Sequence, residues 1–390
     1  MRLLHVAPTY WPAVRYGGPI WSVHALCKAL VSQGHYVEVV TTNADGPGEL
    51  DVPTDGPVDL DGVQVRYFPS RIGRRLFWSG DMVRYLNHAV PRADCVHLQA
   101  LFVWPSVAAA RVARRSGVPY CVAPRGALVP ELVARKSRIV KQAWLRMFGR
   151  RMLEDASFLH VTSDAEAEDA KRFDYDLPPI EVVPNGVDLP DLSDRFEVAP
   201  GLTQVFGNRR LIVYLGRISW KKGLDRVIPA MARVPGADLV IAGNDEEGLT
   251  PELRKLAATA GVADRVHFVG PIYGSDKTAL LRRADLLVLP SYNENFGNVV
   301  LEALALERPV AVTAEVGLAA VVAAAEVGCV VPGEPAEMGD ALAEMMADAH
   351  RLTDMGRRGR ILVGERYGWD TVAHRMARRY ALAAGDAAKL

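Results

Sequence analysis

Two glutamates, Glu294 and Glu302, follow an apolar run in the second half of the chain and have seven residues between them. The segment 289–305 reads LPSYNENFGNVVLEALA, so an aromatic residue, a glycine and two asparagines stand between the carboxylates. Carboxylates accept hydrogen bonds from hydroxyl groups. The segment is therefore a candidate site for a ligand that carries several hydroxyls.

The elements around these glutamates predict how they are held. The run DLLVL (285–289) is typical of a buried strand, and NVVLEALAL (298–306) of a helix with Asn298 as its N-cap. Backbone N–H groups of residues 296–300 would then point out unpaired beside the positive end of the helix dipole, which makes an anion site. This pattern fits a diphosphate with a polyol at each end, as in a sugar nucleotide. The alternative is a solvated loop glutamate and an ordinary exposed helix glutamate.

A group of cations follows another strand in the same half. The segment 211–223 reads LIVYLGRISWKKG and places Arg217 and Lys222 at the carboxyl end of that strand. Parallel α/β sheets bind ligands at this edge, so the two cations would neutralise a diphosphate there. Taken alone, each is more typical of a surface charge.

A pair of glycines, Gly17 and Gly18, precedes a predicted helix near the start of the chain. Glycine allows close approach of the backbone to a phosphate or sugar, and the alternative is a turn that needs positive φ. No G-x-G-x-x-G motif follows the first strand of either half, so a dinucleotide fingerprint is not indicated.

Short Val-rich runs alternate with helical stretches along the whole chain, which predicts an α/β protein of two doubly wound, Rossmann-like domains facing across a cleft. At 390 residues the chain exceeds the usual size of one core. We expect a first domain at 1–190, a linker at 191–208, a second domain at 209–369 and a final helix at 370–390. The predicted strands are LLHVAP, YVEVVTT, VQVRYF, CVHLQA, YCVAP, FLHVTS and IEVVPN, then LIVYLG, DLVIAG, VHFVG, DLLVLP, PVAVT and CVVPG.

Composition excludes several classes of protein. The charges balance at 46 residues of each sign, so a nucleic-acid partner is not indicated. The four cysteines are scattered without metal or redox spacing, which is typical of a reducing compartment. The first residues do not read as a signal peptide, and glutamates interrupt the longest apolar region, 309–332. We expect a cytoplasmic protein.

The motifs GRISWKKG, PSYNENFGNVVLEALAL and PNGVD together resemble the family-4 retaining glycosyltransferases of GT-B fold. The resemblance covers nearly the whole chain, from YGGPIWSVHALCKALVSQGHYVEVVT near its start to YGWDTVAHRMARRY near its end. It implies retaining, metal-independent transfer from a nucleoside-diphosphate sugar, without a further cofactor. The acceptor would be a hydroxyl of a glycan, lipid-linked or small molecule, in polysaccharide or glycoconjugate biosynthesis. The final helix would pack back on the first domain.

The resemblance also implies roles for particular residues. Arg217 and Lys222 would hold the diphosphate and stabilise the leaving group, while Glu294 would hold hydroxyls of the donor sugar. Glu302 would bind the ribose hydroxyls. The departing phosphate, and no carboxylate nucleophile, would assist the acceptor hydroxyl. The remaining donor-binding positions would be Gly17, Gly18, Pro271, Ile272, Asn295, Phe296, Gly297, Asn298 and Val299, with Gly18 reaching the diphosphate from the opposite domain and Pro271 and Ile272 meeting the nucleobase.

This chain departs from the family pattern at two positions. Arg125 stands before Gly126 where many members have a histidine that touches the donor sugar. Arg125 could bind an acidic group of donor or acceptor, or a carbonyl, and a structural or interdomain ion pair is the alternative. Glu307 replaces a common glycine, which predicts a local difference in a turn.

Two further features have two readings each. His97 ends a strand, where it either contacts substrate or is a satisfied buried histidine, whereas His5 is expected in the core. The basic segment 131–153, predicted as one helix, either rests on anionic lipid at the inner face of the membrane or is an ordinary packed helix with a solvated basic face. Within it, Lys141 could reach the acceptor cleft.

Two other functions are compatible with the same pattern. A GT-B sugar-nucleotide 2-epimerase would bind the same donor and convert it without an acceptor. A non-catalytic nucleotide-sugar-binding module would have no need of all four of Arg217, Lys222, Glu294 and Glu302.

Overall fold

The structure, a computed structural model, describes residues 1–135, 138–193 and 209–385. The chain divides into two compact units. The first is Met1–Gly186 together with Trp369–Leu390, and the second is Val187–Gly368. Most of the segment predicted as a linker, from residue 194 to residue 208, lies outside the described residues.

The first unit contains ten described strands before its final helix. They are β1 (Arg2–Val6), β2 (Tyr36–Thr42), β3 (Ala44–Asp45), β4 (Gly48–Glu49), β5 (Pro57–Leu60), β6 (Val63–Phe68), β7 (Cys95–Leu98), β8 (Tyr120–Val122), β9 (Phe158–Val161) and β10 (Ile180–Val182). Eight of them form one sheet in the order β10-β9-β8-β7-β1-β2-β6-β5. Every pair in this sheet is parallel except β5 with β6, while β3 and β4 form a small separate hairpin.

Helices connect these strands. They are α1 (Gly18–Ser32), α2 (Gly80–Ala89), α3 (Trp104–Ser116), α4 (Pro130–Arg135), α5 (Arg138–Trp144), α6 (Arg150–Glu154) and α7 (Asp164–Lys171). Within the segment predicted as one helix over 131–153, the described helix continues from α5 through a π-helical turn at Leu145–Gly149 into α6. A Cβ on Gly149 would lie 2.8 Å from Leu145 Cδ2, so the glycine allows the close packing within that turn.

The second unit has a fully parallel sheet of six strands. They are β11 (Arg210–Leu215), β12 (Ala237–Ala242), β13 (Val266–Gly270), β14 (Leu286–Leu289), β15 (Val310–Val312) and β16 (Gly328–Val330), in the order β13-β12-β11-β14-β15-β16. Its helices are α8 (Leu224–Ala230), α9 (Thr250–Thr259), α10 (Gly274–Arg283), α11 (Asn298–Ala305), α12 (Ala319–Ala324), α13 (Pro335–Ala347) and α14 (Ala349–Arg366).

The final helix, α15 (Trp369–Ala383), groups with the first unit. Its buried side chains recur at helical spacing and pack in the core of that unit with residues of α1. They are Val372, Ala373, Met376, Ala377, Tyr380 and Ala381. Among the described residues, no helix is long and apolar enough to span a membrane.

Both sheets are doubly wound, as predicted. Strands such as Leu286–Leu289 are buried along their whole length, because helices cover both faces of a parallel sheet. Strand order reverses beside β11, which pairs with β12 on one side and β14 on the other. At such a reversal the loops after the two strands diverge and leave a crevice for ligands. In the second unit, those loops are 216–223 and 290–297.

Candidate functional site

The loops after β11 and β14 contact each other. The Tyr292 N–H donates to the Lys221 carbonyl over 2.7 Å. A Cβ on Gly223 would lie 2.0 Å from the Pro290 carbonyl oxygen, so only glycine fits at this crossing. The two motifs singled out in the sequence therefore form one surface at the carboxyl edge of the sheet.

The Lys222 ammonium forms an ion pair with the Glu294 carboxylate at this surface. Their side chains are 15% and 20% exposed, so both remain accessible. The structure thus brings together a cation and a hydroxyl acceptor, seventy-two residues apart in sequence. An anion bound here would share the ammonium with Glu294.

Arg217 lies on the same loop, with its side chain half exposed. Its Nη1 donates to both oxygens of Glu246, at 2.9 and 3.1 Å. The Tyr214 hydroxyl donates to the Arg217 carbonyl over 2.8 Å. Burial raises the pKa of Tyr214 well above its usual value, and the nearby Glu294 charge raises it further while that of Arg217 lowers it. Tyr214 therefore lies beside both charges and stays a neutral hydroxyl.

The loop that carries Glu294 is tied to residues after β15. The Glu294 N–H donates to the Glu315 carbonyl (3.1 Å), and the Glu294 carbonyl accepts from the Gly317 N–H (2.8 Å). Two side chains missed in the sequence also brace this loop. The Arg226 guanidinium lies 3.6 Å from the Tyr292 ring centroid, and the Tyr292 hydroxyl donates to Asp225 over 2.9 Å. In the sequence, the aromatic Tyr292 inside the motif was the one feature that could have indicated these contacts.

The start of α11 differs from the prediction. Gly297, with φ of 94°, is the N-cap, and Asn298 is the first helical residue. The cap position needs a non-helical backbone, and the left-handed conformation found here favours glycine. The prediction of unpaired N–H groups over 296–300 is wrong for Val300, whose N–H donates to the Gly297 carbonyl. Phe296 and Gly297 are buried, whereas Asn295, Asn298 and Val299 are partly exposed.

Glu302 lies on α11 and is paired with Lys277 of α10 at 3.0 Å. The two side chains are 29% and 35% exposed, respectively. Lys277 was not selected in the sequence, because only the packing of α10 on α11 brings it to the glutamate. Pro271 is exposed and Ile272 partly buried, directly after β13 at the same edge of the sheet.

The glycine pair of the first unit is split by the helix start. Gly17, with φ of 76°, is the N-cap of α1, and Gly18 is already the first helical residue. The prediction that both glycines precede the helix is therefore wrong by one residue. Only Gly17 has the positive φ that favours glycine.

His97 is enclosed in the first unit. Its side chain is 1% exposed, and its Nδ1 lies 2.7 Å from the Tyr380 hydroxyl and its Nε2 3.2 Å from His160 Nδ1. Both ring nitrogens are engaged, which corrects the substrate-contact reading in favour of a satisfied buried histidine. Burial lowers the pKa of His97 well below its usual value and holds it neutral. His5 is likewise fully buried, as expected.

The last two candidates of the first unit make internal contacts. The Lys141 ammonium donates to the Leu132 carbonyl over 2.7 Å. Arg125 adopts a positive φ of 54° after β8, and its guanidinium donates to the side-chain oxygens of Gln99 and Asn185. Glu307, the other departure from the family pattern, has φ of 59° and so occupies a turn conformation where glycine fits without strain.

The crevice in the second unit thus combines cations with hydroxyl-accepting carboxylates. Two ion pairs, Lys222 with Glu294 and Lys277 with Glu302, stand at its edge. The described residues hold no group of three or more His, Cys, Asp or Glu placed to bind a metal ion. This set of side chains can bind an anionic ligand that is rich in hydroxyls.

Comparison with known proteins gives family matches to both halves. The model described as "Glycosyl transferases group 1" matches residues 202–361, and "Glycosyl transferase 4-like domain" matches residues 17–186. The chain is 30% identical over 391 residues to a D-inositol 3-phosphate glycosyltransferase of Paenarthrobacter aurescens, covering 95% of this chain and 94% of that one. A protein of the same name from Salinispora tropica is 34% identical over 244 residues, or 56% of this chain and 49% of that one.

Solved structures with the same fold include two that match over almost the full chain. Sucrose-phosphate synthase from Thermosynechococcus elongatus has a TM-score of 0.74 at 21% identity, covering 98% of each chain. Anabaena HepE, in complex with UDP-glucose, has a TM-score of 0.75 at 18% identity, covering 98% of this chain and 100% of that one. At these identities the likeness shows the GT-B fold alone.

Proposed function

This chain belongs to the glycosyl transferases group 1 family, and we propose that it transfers a sugar from a nucleoside-diphosphate sugar to an acceptor hydroxyl. The observation that carries this proposal is the pairing of Lys222 with Glu294 where strand order reverses in the second unit. Arg217 on the same loop adds a second cation, and Glu302 on α11 a second carboxylate. Cations and carboxylates in these places match a diphosphate flanked by two polyols.

In the proposed reaction, Lys222 and Arg217 bind the diphosphate and stabilise it as it leaves. The bond between the anomeric carbon and the phosphate oxygen breaks, and negative charge grows on that oxygen, where a cation is worth most. Glu294 accepts hydrogen bonds from the donor sugar and orients it. The acceptor hydroxyl attacks the anomeric carbon from the face the phosphate is leaving, and its proton passes to the departing phosphate. The configuration is then retained, and neutralisation by side chains replaces a metal ion.

The remaining donor contacts are proposed from their positions. Glu302 binds the ribose hydroxyls in competition with Lys277, and the backbone at Pro271 and Ile272 meets the nucleobase. Asn295, Asn298 and Val299, partly exposed at the start of α11, face the donor. Gly17 and Gly18 are likewise kept as proposed donor-binding residues. HepE binds UDP-glucose, so uridine nucleotides are the first donors to test.

The acceptor is proposed to be a hydroxyl of a glycan, a lipid-linked molecule or a small polyol. Relatives named for D-inositol 3-phosphate make a polyol phosphate the first small acceptor to test. Contact with the inner face of a membrane is proposed as well, through the apolar side chains of Ile139 and Val140, which are 82% and 68% exposed on α5.

The proposal is tested by titrating UDP, GDP, ADP and dTDP, and their sugars, into the wild-type chain and following its melting temperature. A ligand that binds only the folded protein raises this temperature. We expect one nucleotide to stabilise the protein and Glu302→Ala to weaken its binding by at least about tenfold, the value of one charge-assisted hydrogen bond. Glu337→Ala, an exposed glutamate of α13, is the matched control and should bind normally.

Absence of a shift with every nucleotide at millimolar concentration would contradict the proposal, as would normal binding by Glu302→Ala. Incubation of the donor alone separates a transferase from the epimerase alternative. A transferase leaves the sugar configuration of unreacted donor unchanged, whereas an epimerase converts it.

A further inference from the structure

Arg125 occupies a turn of the first unit that an arginine does not favour. Residues 124–127 form a tight turn, closed by the Ala127 N–H donating to the Pro124 carbonyl over 3.1 Å. Arg125 and Gly126 both have positive φ, 54° and 72°. The left-handed backbone costs a residue with a Cβ about 1–2 kcal/mol. An arginine kept in such a conformation at the carboxyl end of a central strand suggests a use for its side chain.

The guanidinium is held by neutral groups. Its Nε and Nη2 donate to Gln99 Oε1 at 3.2 and 2.7 Å, and its Nη1 donates to Asn185 Oδ1 at 3.2 Å. A guanidinium has about five N–H donors, so one on each terminal nitrogen remains for another acceptor. Within the described part of the chain, the hydrogen bonds of this cation go to amide oxygens alone.

The carboxylate of Glu166 is engaged by other groups of the turn. The Glu166 carboxylate, the main charge that favours the cationic form of Arg125, accepts from the Gly126 N–H at 2.6 Å. It also accepts from the Thr162 N–H and hydroxyl, at 2.8 and 2.9 Å. Glu166 therefore fixes the turn through its backbone and does not form a direct ion pair with the guanidinium.

The groups that hold Arg125 are themselves fixed. Gln99 is 5% exposed, its N–H donates to the Val6 carbonyl (2.9 Å), and its Nε2 lies 3.3 Å from His5 Nδ1. Burial lowers the pKa of Arg125 from its usual value, which shows that the enclosed charge is costly. Arg125 itself remains partly exposed, so a ligand can reach it. A cation that is costly to enclose, held by amide oxygens and still partly exposed is suited to binding an anion.

We propose that Arg125 binds a carboxylate or phosphate carried by one of the two substrates and thereby selects charged over neutral substrates. The inference rests on the proposed function, since it takes the carboxyl edge of the first sheet as part of the substrate site. The terminal N–H groups of Arg125 meet the anion, while Gln99 and Asn185 hold the guanidinium plane in place.

Calorimetry with matched probes on the full chain tests this inference. The affinities for UDP-glucuronic acid and UDP-glucose are compared to test whether the donor carries the anion. The affinities for myo-inositol 3-phosphate and myo-inositol are compared to test whether the acceptor carries it. In one of the two pairs, the charged probe should bind the wild type at least about tenfold more tightly, as expected for a charge-assisted contact. Arg125→Met should abolish this preference.

Arg115→Met is the matched control. Arg115 is exposed in the last turn of α3, which runs back to the opposite edge of the sheet, so this variant should keep the preference. If Arg125→Met does not fold, Arg125→Lys keeps the charge without the planar fork and should retain only part of the preference. No preference in either pair, or a preference that survives in the Arg125 variant, overturns the inference.

The two proposals can fail separately. Binding of UDP alone is proposed to depend on the second unit, and UDP is titrated as a fifth probe. Normal UDP binding without any preference for charged probes overturns only the role of Arg125. A wild type that binds no nucleotide but prefers myo-inositol 3-phosphate to myo-inositol overturns the donor assignment and leaves the role of Arg125 standing.

Discussion

At the residue scale, three cations near the crevice of the second unit already have a carboxylate partner. Lys222 pairs with Glu294, Arg217 with Glu246 and Lys277 with Glu302. Such pairs, partly exposed, contribute little to stability. These ion pairs hold long side chains in one conformation. The diphosphate of the proposed donor can then bind to ordered cations, and its hydroxyls can bind to ordered carboxylates.

Lys222→Ala tests the assignment of the leaving-group cation. We expect turnover to fall by about 10²–10³-fold, the cost of removing one group that stabilises developing charge. Steady-state kinetics with saturating donor measures this directly. Lys255→Ala removes an exposed lysine of α9 in the same unit and should leave turnover unchanged. Near-normal turnover of Lys222→Ala would contradict the assignment of Lys222 as the leaving-group cation.

At the element scale, the loops after β11 and β12 are joined at a backbone crossing. The Gly216 N–H donates to the Ala242 carbonyl over 3.0 Å, and Ile218 N–H to the Asn244 carbonyl over 2.8 Å. A Cβ on Gly243 would lie 1.7 Å from the Gly216 carbonyl oxygen and 3.5 Å from the Arg217 nitrogen. The position of Arg217 therefore depends on the absence of a side chain at Gly243, in the loop after the neighbouring strand.

Gly243→Ala should move the loop that carries Arg217. Relief of the clash requires a backbone shift, with an expected cost of about 1–3 kcal/mol in stability and a weaker affinity for the donor. Gly236→Ala is the control, since a Cβ there meets nothing within 4 Å and should change neither property. Melting temperature and donor affinity are measured for both variants. Equal behaviour of the two would show that this crossing does not position Arg217.

At the scale of the whole molecule, the end of the chain completes the core of the first unit. Tyr380 of α15 is 1% exposed, and its hydroxyl lies 2.7 Å from His97 Nδ1, 283 residues away in sequence. His97 in turn lies beside His5 and His160. Burial, helped by the Arg125 charge, lowers the pKa of both His5 and His160 to about 3. All three histidines are thus neutral in the folded protein.

This buried row makes stability depend on pH. The folded-state pKa values are depressed, so the unfolded chain takes up protons first as the pH falls. Stability is therefore complete above the unfolded pKa of about 6.5 and declines toward pH 3, by up to about 1.4 kcal/mol per pH unit for each histidine. Denaturant unfolding between pH 7 and pH 5 should show this slope. His160→Gln should reduce it, whereas His350→Gln, an exposed site, should not, and equal slopes in all three proteins would refute the argument.

The sequence by itself determined the strands, their class of sheet and the loops that carry chemistry. Every predicted strand is present in the structure, because runs of Val, Ile and Leu bounded by turn residues are a local signal. The loops after β11 and β14 could be placed at one edge, since parallel strands end on the same side. Strands β3, β4 and β5 were missed, because β3 and β4 have two residues each and β5 is a short, partly exposed strand at the edge of its sheet.

Only the tertiary structure decided which side chains meet. The pairs of Lys277 with Glu302 and of His97 with Tyr380 depend on which helix packs on which strand. The hydrogen bonds from Arg125 to Gln99 and Asn185 likewise join three segments that are distant in sequence. The sequence identifies the donors, acceptors and charges of the chain. Which of them are in contact is determined by the order of the strands and the packing of the loops, because these bring together residues that are far apart in sequence.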